Sequence, residues 1–527
     1  MKKYVAGIAL SILTLLVWRM LNQPQAGGVS MPASKVNSLS YAPYQAWQSP
    51  HSKVSPNASE VAADLRLIAK RANGIRTYSA ITGSCDMGAL AKQTGLKLWL
   101  GIWLSANPAD NAKEMAAGIA EANAYPLTIT RVIVGNEVLL RRDLSVTDLV
   151  ADIDYVRARV KQPVAYADVP DFWKKFPQVA SHVDIVMIHF LPYWEDRPVD
   201  VDAAISRIKI TTDQFKTLFP AKTLSIGEAG WPSRGRWRDA AAPSRVNEAI
   251  FFRRFVAAAT QEQVDYNLIE AFDQPWKYED EGVAGANWGI WNAHRLQKFP
   301  LNGGVIEHPD WPWYALLGAA FSILLWGSVG FRAFRLAVPA FTLGNGFAMA
   351  CAGTLPMLYD NWLVFDALIN LPLQAIFAFQ IIARIDAIFA GRALPPRIPA
   401  STSFAALRRG ALLFDYDTLS TIFLASAAIF QVLLVFDGRY RDAPMAVFIV
   451  PVLGALVRLW TRDWPRPIDW EDRLAANVLA LGALASAILE HPVNLEFLSW
   501  NIAAFILASP VLIVQAGSRF GIGTPKA

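Results

Sequence analysis

Two glutamates, each placed directly after a short apolar run, are the residues of this 527-residue chain that best suit acid–base and nucleophilic chemistry. The segment VIVGNEV puts Glu137 after residues 132–134 with Asn136 beside it, and the segment TLSIGEAGWPS puts Glu228 after a second apolar run. Two carboxylates on separate strands can cleave a glycosidic bond with retention, because one protonates the leaving oxygen while the other attacks the anomeric carbon. Asn136 is then placed to hydrogen-bond to a sugar hydroxyl. The alternative for Glu228 is that it only caps the helix that follows.

Further polar residues follow two other apolar runs. In LIEAFDQPWKYE, Asp273 and Lys277 could pair with each other, orient Glu228 or contact a sugar, and a structural salt link at the rim is the alternative. In MIHFLPYW, His189 could touch substrate or be a satisfied polar residue at a strand end.

Aromatic residues near these runs are candidates for stacking on the C–H faces of sugar rings. They are Tyr41, Tyr78, Tyr193, Trp231, Trp276 and Trp288. Trp231 and Trp276 are favoured because they flank the acidic motifs, although each aromatic could instead pack in the core. The six histidines show no metal-ligand spacing and the chain has two cysteines. We therefore expect no metal and no cofactor.

The elements that must position these residues alternate between short apolar runs and amphipathic helical stretches over residues 36–302. Candidate strands are residues 36–41, 74–78, 96–104, 131–138, 163–167, 183–190, 223–227 and 266–272. Eight such strands predict an α/β fold, a (β/α)8 TIM barrel, with both glutamates at the C-terminal rim, where catalytic groups of such barrels lie. A doubly wound open sheet is the alternative, but the Gly-rich turn often found after its first strand is missing.

The regions on either side of residues 36–302 are suited to a lipid bilayer, and 54% of the chain is hydrophobic. Residues 1–21 predict a signal anchor, favoured over a cleaved signal peptide because no small-x-small cleavage site follows, and residues 22–35 a linker. Residues 312–517 predict an all-α polytopic transmembrane bundle of about seven helices, and residues 518–527 a tail. The apolar segments are residues 313–331, 336–357, 362–382, 418–436, 445–459, 474–489 and 497–515.

Loops between these segments alternate between basic and neutral or acidic, as the positive-inside rule requires. The basic side contains Arg332, Arg335, Arg392, Arg397, Arg408, Arg409, Arg458, Arg462, Arg466, Arg473, Arg519 and Lys526. The alternation predicts about eight spans, cytoplasmic termini and a barrel outside the cytoplasm. Asp366, near a span end, is a functional candidate or simply reaches the interface.

Three motifs in one order resemble a known family: GNEV at Glu137, GEAGWPS at Glu228, and EAFDQPWK followed by NWGIW at residues 287–291. Over residues 36–300 the chain resembles family-17 glycoside hydrolases, the β-1,3-glucanases and their transglycosylating bacterial relatives. The resemblance implies a (β/α)8 barrel acting on β-1,3-glucan with retention, with Glu137 as acid/base and Glu228 as nucleophile. It also implies that Asn136 contacts the 2-hydroxyl of the reacting sugar. Ala229 departs from the Thr or Ser that plant members often have there.

The resulting hypothesis is an enzyme of the bacterial inner membrane, with its catalytic domain in the periplasm, that acts on β-glucan polysaccharide or oligosaccharide. Glucanosyl transfer in synthesis or branching of β-1,3/β-1,6-glucan is favoured, because many membrane helices suit the remodelling of an exported polymer. Endo-β-1,3-glucanase activity is the alternative, and a non-catalytic glucan-binding or export protein is a further one. Candidate partners are the lipid bilayer and a glucan synthase or exporter. The sequence contains no dense basic patch of the kind that predicts nucleic-acid binding.

Overall fold

The computed structural model describes residues 2–31, 35–52, 54–331, 334–356, 366–394, 415–465, 468–490 and 492–519. The chain divides into two compact units, Pro24–Glu307 and a second formed by Met1–Gln23 with His308–Ala527. In sequence, the first unit is therefore inserted into the second.

The first unit is a barrel. Its strands are β1 (Gln25–Ala26), β2 (Val36–Ser40), β3 (Ala72–Arg76), β4 (Lys97–Ile102), β5 (Ile129–Asn136), β6 (Val164–Asp168), β7 (Ile185–Phe190), β8 (Thr223–Ala229), β9 (Asp265–Leu268) and β10 (Gly304–Val305). Strands β2 to β9 pair in parallel in sequence order, and β2 pairs with β9 to close the barrel. The predicted TIM barrel is confirmed, and the open doubly wound sheet is wrong.

Among the predicted strands, the last one, residues 266–272, ends farthest from the end of the strand in the structure. Strand β9 ends at Leu268, and the backbone beyond it bonds elsewhere: the amide of Glu270 donates to the carbonyl of Trp288, and the amide of Trp291 to the carbonyl of Ala271. The NWGIW motif thus supplies backbone partners for the segment that follows β9.

Helix α1 (Lys2–Leu21) precedes the barrel. The barrel helices are α2 (Ala58–Ile68), α3 (Met87–Thr94), α4 (Pro108–Ala124), α5 (Val138–Arg141), α6 (Val146–Arg157), α7 (Pro170–Lys175), α8 (Val201–Leu218), α9 (Arg245–Gln261) and α10 (Tyr278–Ala286). Helix α2 shows why these segments are helical: Asn57 and Glu60 form a reciprocal capping box, and Val61, Leu65 and Ile68 are buried at helical spacing.

Apolar side chains fill the barrel interior, where Trp99, Ile133 and Met187 belong to one buried cluster. Near the N-terminal ends of the strands, the Arg131 guanidinium lies 3.8 Å from the Trp99 ring centroid and donates to Asp265 at 2.8 Å. The barrel interior is therefore closed at the N-terminal ends of its strands.

The two ends of the barrel unit are held together by a short ribbon. Strand β1 pairs antiparallel with β10, so part of the predicted linker 22–35 is a paired strand. Arg253 of α9 is buried and donates to the carbonyls of Gly27, Gly303 and Pro300 at 2.8, 2.8 and 2.6 Å. The Arg253 side chain thus binds both ends of the barrel unit.

The second unit is helical. Besides α1 it contains α11 (Trp311–Ser328), α12 (Ala337–Thr354), α13 (Leu371–Phe389), α14 (Tyr416–Phe436), α15 (Met445–Thr461), α16 (Trp470–Leu489) and α17 (Leu495–Arg519). Each predicted apolar segment overlaps one helix, although the third, predicted at residues 362–382, is the helix Leu371–Phe389. Residue 357 of the second segment and residues 362–365 of the third lie outside the described residues. Within the described residues, five helices are long and apolar enough to cross a membrane: Phe334–Thr354, Leu368–Phe389, Tyr416–Phe436, Trp470–Leu489 and Leu495–Gly517.

Helix α1 packs within this helical unit through polar as well as apolar contacts. The Trp18 indole donates to Asn345 of α12 at 2.9 Å, and the Asn345 amide donates to Thr14 at 3.4 Å. The Trp18 and Tyr314 rings are stacked.

Some of the charged residues in the topology prediction lie outside the described residues. They are Arg332, Arg397, Arg408, Arg409, Arg466 and Lys526, and the side chains of Asp366 and Arg519 are likewise not described.

Candidate active site

The two predicted catalytic glutamates meet at the C-terminal rim of the barrel. Glu137 directly follows β5, and Glu228 lies near the end of β8. A carboxylate oxygen of each glutamate and a ring nitrogen of His189 all lie within 4.8 Å of one another. Retaining glycosidases have their two carboxyl groups about 5–5.5 Å apart, whereas inverting enzymes separate them by about 6.5–9.5 Å. The spacing therefore fits retention.

Glu137 has a left-handed backbone conformation, with φ of 52°. This conformation costs a non-glycine residue about 1–2 kcal/mol. Backbone bonds hold it: the Glu137 amide donates to the carbonyl of Ala167 at 2.8 Å, and the Arg141 amide donates to the carbonyl of Glu137 at 2.8 Å. A strained residue held in this way is typical of a functional site.

His189, at the end of β7, bridges the glutamates. Its Nδ1 is 2.7 Å from Glu137 Oε1, and its Nε2 is 3.7 Å from Glu228 Oε1. The side chain is fully buried, so it offers no exposed face for the substrate contact that was one of its two predicted roles. Gly227 allows this approach, because a Cβ atom there would lie 3.0 Å from His189 Cδ2.

Arg76, at the end of β3, is a site residue that the sequence analysis missed. Its Nη1 donates to the carbonyl of Gly227 at 2.7 Å and to Glu228 Oε1 at 3.1 Å, and its Nη2 donates to Asn136 Oδ1. Because the amide oxygen of Asn136 faces Arg76, its NH₂ group is the end that can donate to a ligand. This orientation suits the predicted bond to a sugar hydroxyl.

Glu228 is held in its ionised form. Burial by itself raises the pKa of its carboxyl group, but the charges of His189 and Arg76, a hydrogen bond from Tyr78 and the charge of Lys277 outweigh it, so that the pKa lies below its ordinary value. The Glu228 side chain is 6% exposed, against 22% for Glu137. Solvent thus reaches Glu137 more easily than Glu228.

Of the roles that the sequence leaves open for Asp273 and Lys277, the structure shows structural salt links, and each residue pairs with a different partner. Lys277 donates to both carboxylate oxygens of Glu270, at 2.8 and 3.0 Å, while Asp273 accepts from Lys298 at 2.8 Å and from the Gly289 amide at 2.8 Å. Asp273 is buried, and these bonds make it part of a structural network. Burial raises the pKa of Glu270 to about 7, although the charge of Lys277 opposes the rise.

Asp168, at the end of β6, is a second site residue that no sequence motif indicated. It accepts hydrogen bonds from the Tyr166 hydroxyl and from the Val169 amide. Burial raises its pKa to about 6; the Tyr166 bond and the His189 charge oppose the rise, and the Glu137 charge adds to it. Asp168 therefore belongs to the electrostatic surroundings of Glu137 and His189.

Four of the six predicted aromatic platforms are packed in the barrel core. Exposure is 1% for Tyr41, Tyr193 and Trp231, and 3% for Trp288, which is the core-packing role that the sequence leaves open for each of them. Tyr78 and Trp276 are half-buried, and the Trp276 ring meets those of Tyr44 and His51 edge-on.

Trp103, after β4, is 36% exposed and is an aromatic residue that was not among the six predicted platforms. Its ring lies 4.2 Å from the guanidinium carbon of Arg141.

The trio of Glu137, His189 and Glu228 also has the residue types and spacing that can hold a metal ion. Arg76 Nη1, however, lies 3.1 Å from Glu228 and 3.4 Å from His189 Nε2. A cation placed among the three groups would meet this guanidinium, so the donor set fits a hydrogen-bonded acid pair better than a metal centre.

Comparison with known proteins places the barrel among carbohydrate-active domains. The family model for the BtgE/BtgC glycoside hydrolase domain matches residues 38–289. A glucan 1,3-beta-glucosidase of Candida albicans is 26% identical over 275 residues, covering 47% of this chain and 87% of the relative. A putative glucan endo-1,3-beta-glucosidase btgC of Aspergillus niger is 29% identical over 278 residues, covering 46% of this chain and 40% of the relative.

Among solved structures, the chain is similar to a glycoside hydrolase family 17 beta-1,3-glucanosyltransferase from Rhizomucor miehei. The two are 26% identical, with a TM-score of 0.44 and coverage of 51% of this chain and 97% of the other. An endo-laminarinase from Formosa Hel1_33_131 is 18% identical, with a TM-score of 0.43 and coverage of 50% and 84%.

Proposed function

We propose that this chain is a membrane-anchored retaining enzyme of β-1,3-glucan that transfers glucosyl chains. The match of the BtgE/BtgC glycoside hydrolase model to residues 38–289 supports the proposal. The observation that carries the proposal is the pair of rim carboxylates within 4.8 Å, bridged by His189. The named relatives, which include glucan glucosidases, act on the same class of polymer.

In the proposed reaction, Glu228 attacks the anomeric carbon while Glu137 protonates the departing glycosidic oxygen. The carbon–oxygen bond breaks, a covalent glucosyl ester forms on Glu228, and Glu137 is left ionised. Glu137 then takes a proton from the incoming hydroxyl, whose oxygen displaces Glu228. Arg76 and His189 hold Glu228 ionised and fix its direction, and the Asn136 amide donates to the sugar.

The roles of the two glutamates can be tested by rescue with azide. In Glu137→Ala, an activated aryl glucoside should still form the ester on Glu228, since a good leaving group needs no proton. Azide should then displace Glu228 and give a β-glycosyl azide, identified by NMR. Glu228→Ala provides the matched control and should give no β-azide. An α-azide from Glu137→Ala would contradict retention.

Transfer is favoured over hydrolysis for the second step. Water is abundant, but a well-oriented acceptor can reach effective molarities of about 10⁵ M or more, enough to compete. Trp276, half-buried beside Tyr44 and His51, is the predicted platform best placed to hold an acceptor sugar. Hydrolysis remains the second candidate, because relatives include endo-1,3-beta-glucosidases as well as a glucanosyltransferase.

Product analysis with linear β-1,3-glucan oligosaccharides separates the two activities. We expect products longer than the donor, or branched, at early times by mass spectrometry and linkage analysis. Trp276→Ala should lower the ratio of transfer to hydrolysis, whereas Tyr155→Ala, on the outer helix α6, should not change it. If only shorter products form at high acceptor concentration, the endo-glucanase function stands instead.

We further propose that the helical unit lies in the bacterial inner membrane with the barrel in the periplasm. The five long apolar helices support a place in a membrane. The alternation of basic and non-basic loops supports the periplasmic side for the barrel. A multi-helix anchor suits an enzyme that receives polymer from a glucan synthase or exporter in the same membrane.

A further inference from the structure

Strand β4 lies between the two strands whose ends supply Arg76 and Glu137, and Trp103 directly follows it. Strand β4 pairs with β3, which ends in Arg76, and with β5, which leads to Glu137. Ile102, the last residue of β4, is in register with Val134 of β5, so Trp103 lies beside the turn that carries Glu137. Trp103 has no role in the reaction proposed above, although it belongs to the same rim.

The Trp103 side chain is directed towards the mouth of the barrel. Side chains alternate between the two faces of a strand. Trp99 belongs to the buried cluster of the barrel interior, whereas Ile102 and Leu104 belong to the core that the strands share with the helices. Trp103 therefore lies on the inner face with Trp99, and it is exposed beyond the end of the strand.

Neighbouring residues hold the Trp103 ring in place. Glu114 of α4, which is itself buried, accepts from the Trp103 amide at 3.2 Å and from the Ala80 amide at 2.9 Å. The guanidinium of Arg141 lies over one face of the indole and donates to the carbonyl of Leu104 at 2.7 Å. A large exposed ring that is fixed before a ligand arrives loses little conformational entropy on binding, which favours a role as a binding surface.

Arg141 also connects the Trp103 ring to the acid/base. It lies in α5, which begins directly after Glu137, and it donates to the carbonyl of Asn136. In the proposed reaction Glu137 acts on the oxygen that joins two glucosyl units. A ring attached to this segment therefore faces a unit of the chain other than the one that becomes bound to Glu228.

We propose that Trp103 is a sugar platform that binds a glucosyl unit next to the reacting one, and that it makes the enzyme select β-glucan chains over single glucosides. The indole face opposite Arg141 can stack on the C–H face of a sugar ring. The inference rests on the proposed action on β-1,3-glucan. Trp276 follows β9, three strands away around the barrel, so the two rings contact different units of one chain.

Binding to an inactive chain tests the platform independently of transfer and hydrolysis. In the full chain carrying Glu228→Ala, reconstituted in nanodiscs, the affinity for laminaripentaose is measured by isothermal titration calorimetry. Trp103→Ala should lower this affinity by about tenfold or more, because a large aromatic contact is lost, and Trp103→Phe should restore part of it. Tyr155→Ala, which removes an exposed aromatic ring from the outer helix α6, is the matched control and should leave the affinity unchanged.

Activity on two substrates shows which sugar unit the ring binds. In the enzyme with both glutamates, Trp103→Ala should lower kcat/KM for laminaripentaose by about tenfold. It should leave kcat/KM for an activated aryl glucoside, which places a sugar only at the reacting position, within about twofold. Equal losses on both substrates, or an unchanged affinity for laminaripentaose, would overturn the inference alone. A Glu228→Ala parent that does not bind laminaripentaose would overturn the proposed function and the inference with it.

Discussion

With His189, Arg76 keeps the carboxyl group of Glu228 in its ionised form. Its positive charge, 3.1 Å from the carboxylate, stabilises the ionised form and lowers the pKa of Glu228, as does the charge of His189. The nucleophile must be ionised, so activity is lost when the pH falls through this pKa. Removing the charge raises the pKa, and the acid limb of the pH profile must then move to higher pH.

We expect Arg76→Met to shift the acid limb of kcat/KM upwards by about one pH unit or more, because an adjacent opposite charge lowers a carboxyl pKa by about 1–3 units. Arg131→Met is the matched control, since Arg131 is also a buried strand arginine but bonds Ser225 and Asp265 near the opposite end of the barrel. An unchanged acid limb in a folded Arg76→Met enzyme would show that Arg76 does not set the ionisation of Glu228.

At the scale of elements, helix α1 has contacts that a removable signal peptide does not need. Trp18 and Thr14 both bond to Asn345 of α12, and side-chain hydrogen bonds between helices in a membrane contribute about 0.6–2 kcal/mol each. We predict that α1 stays in the mature protein. Intact-mass measurement of the chain extracted from membranes should include residues 2–21, whereas a chain that starts after Leu21 would contradict the prediction.

The strands and both glutamates could be predicted from sequence because their signals are local. An apolar run that ends in GNE or GEA indicates a strand and its rim carboxylate in one short segment. Arg76 and Asp168 have no such signal, because each ends a strand in an ordinary way. Closure of the barrel brings Arg76 of β3 to Glu228 of β8, and the pairing of β5 with β6 brings Asp168 near Glu137.

Trp231 takes the core-packing role, the alternative that the sequence leaves open, for a related reason. Trp231 is three residues after Glu228, but the direction of its side chain depends on the turn after β8, where its indole donates to the Ala242 carbonyl in the core. Sequence proximity to a catalytic motif therefore does not decide which face of the rim a side chain reaches.

For the whole molecule, the order of helices predicts the sidedness of the barrel. One helix, α1, precedes the barrel and seven follow it among the described residues, so that, if each crosses the membrane once, both termini lie on one side and the barrel on the other. Reporter fusions after Ala286 and after Ala527 should then report opposite sides. The same side for both would mean that the number of crossings is wrong by an odd number.

The ribbon of β1 and β10, clamped by Arg253, has a consequence for the order in which the molecule assembles. Helices α1 and α11 pack in one unit although roughly 290 residues separate them, and closing so long a loop in an unfolded chain costs about 5 kcal/mol of entropy. A folded barrel has already brought its two ends together, so it removes most of this cost. Docking of α1 should therefore follow barrel folding, and a weakened Arg253 clamp would delay maturation of helices that it never touches.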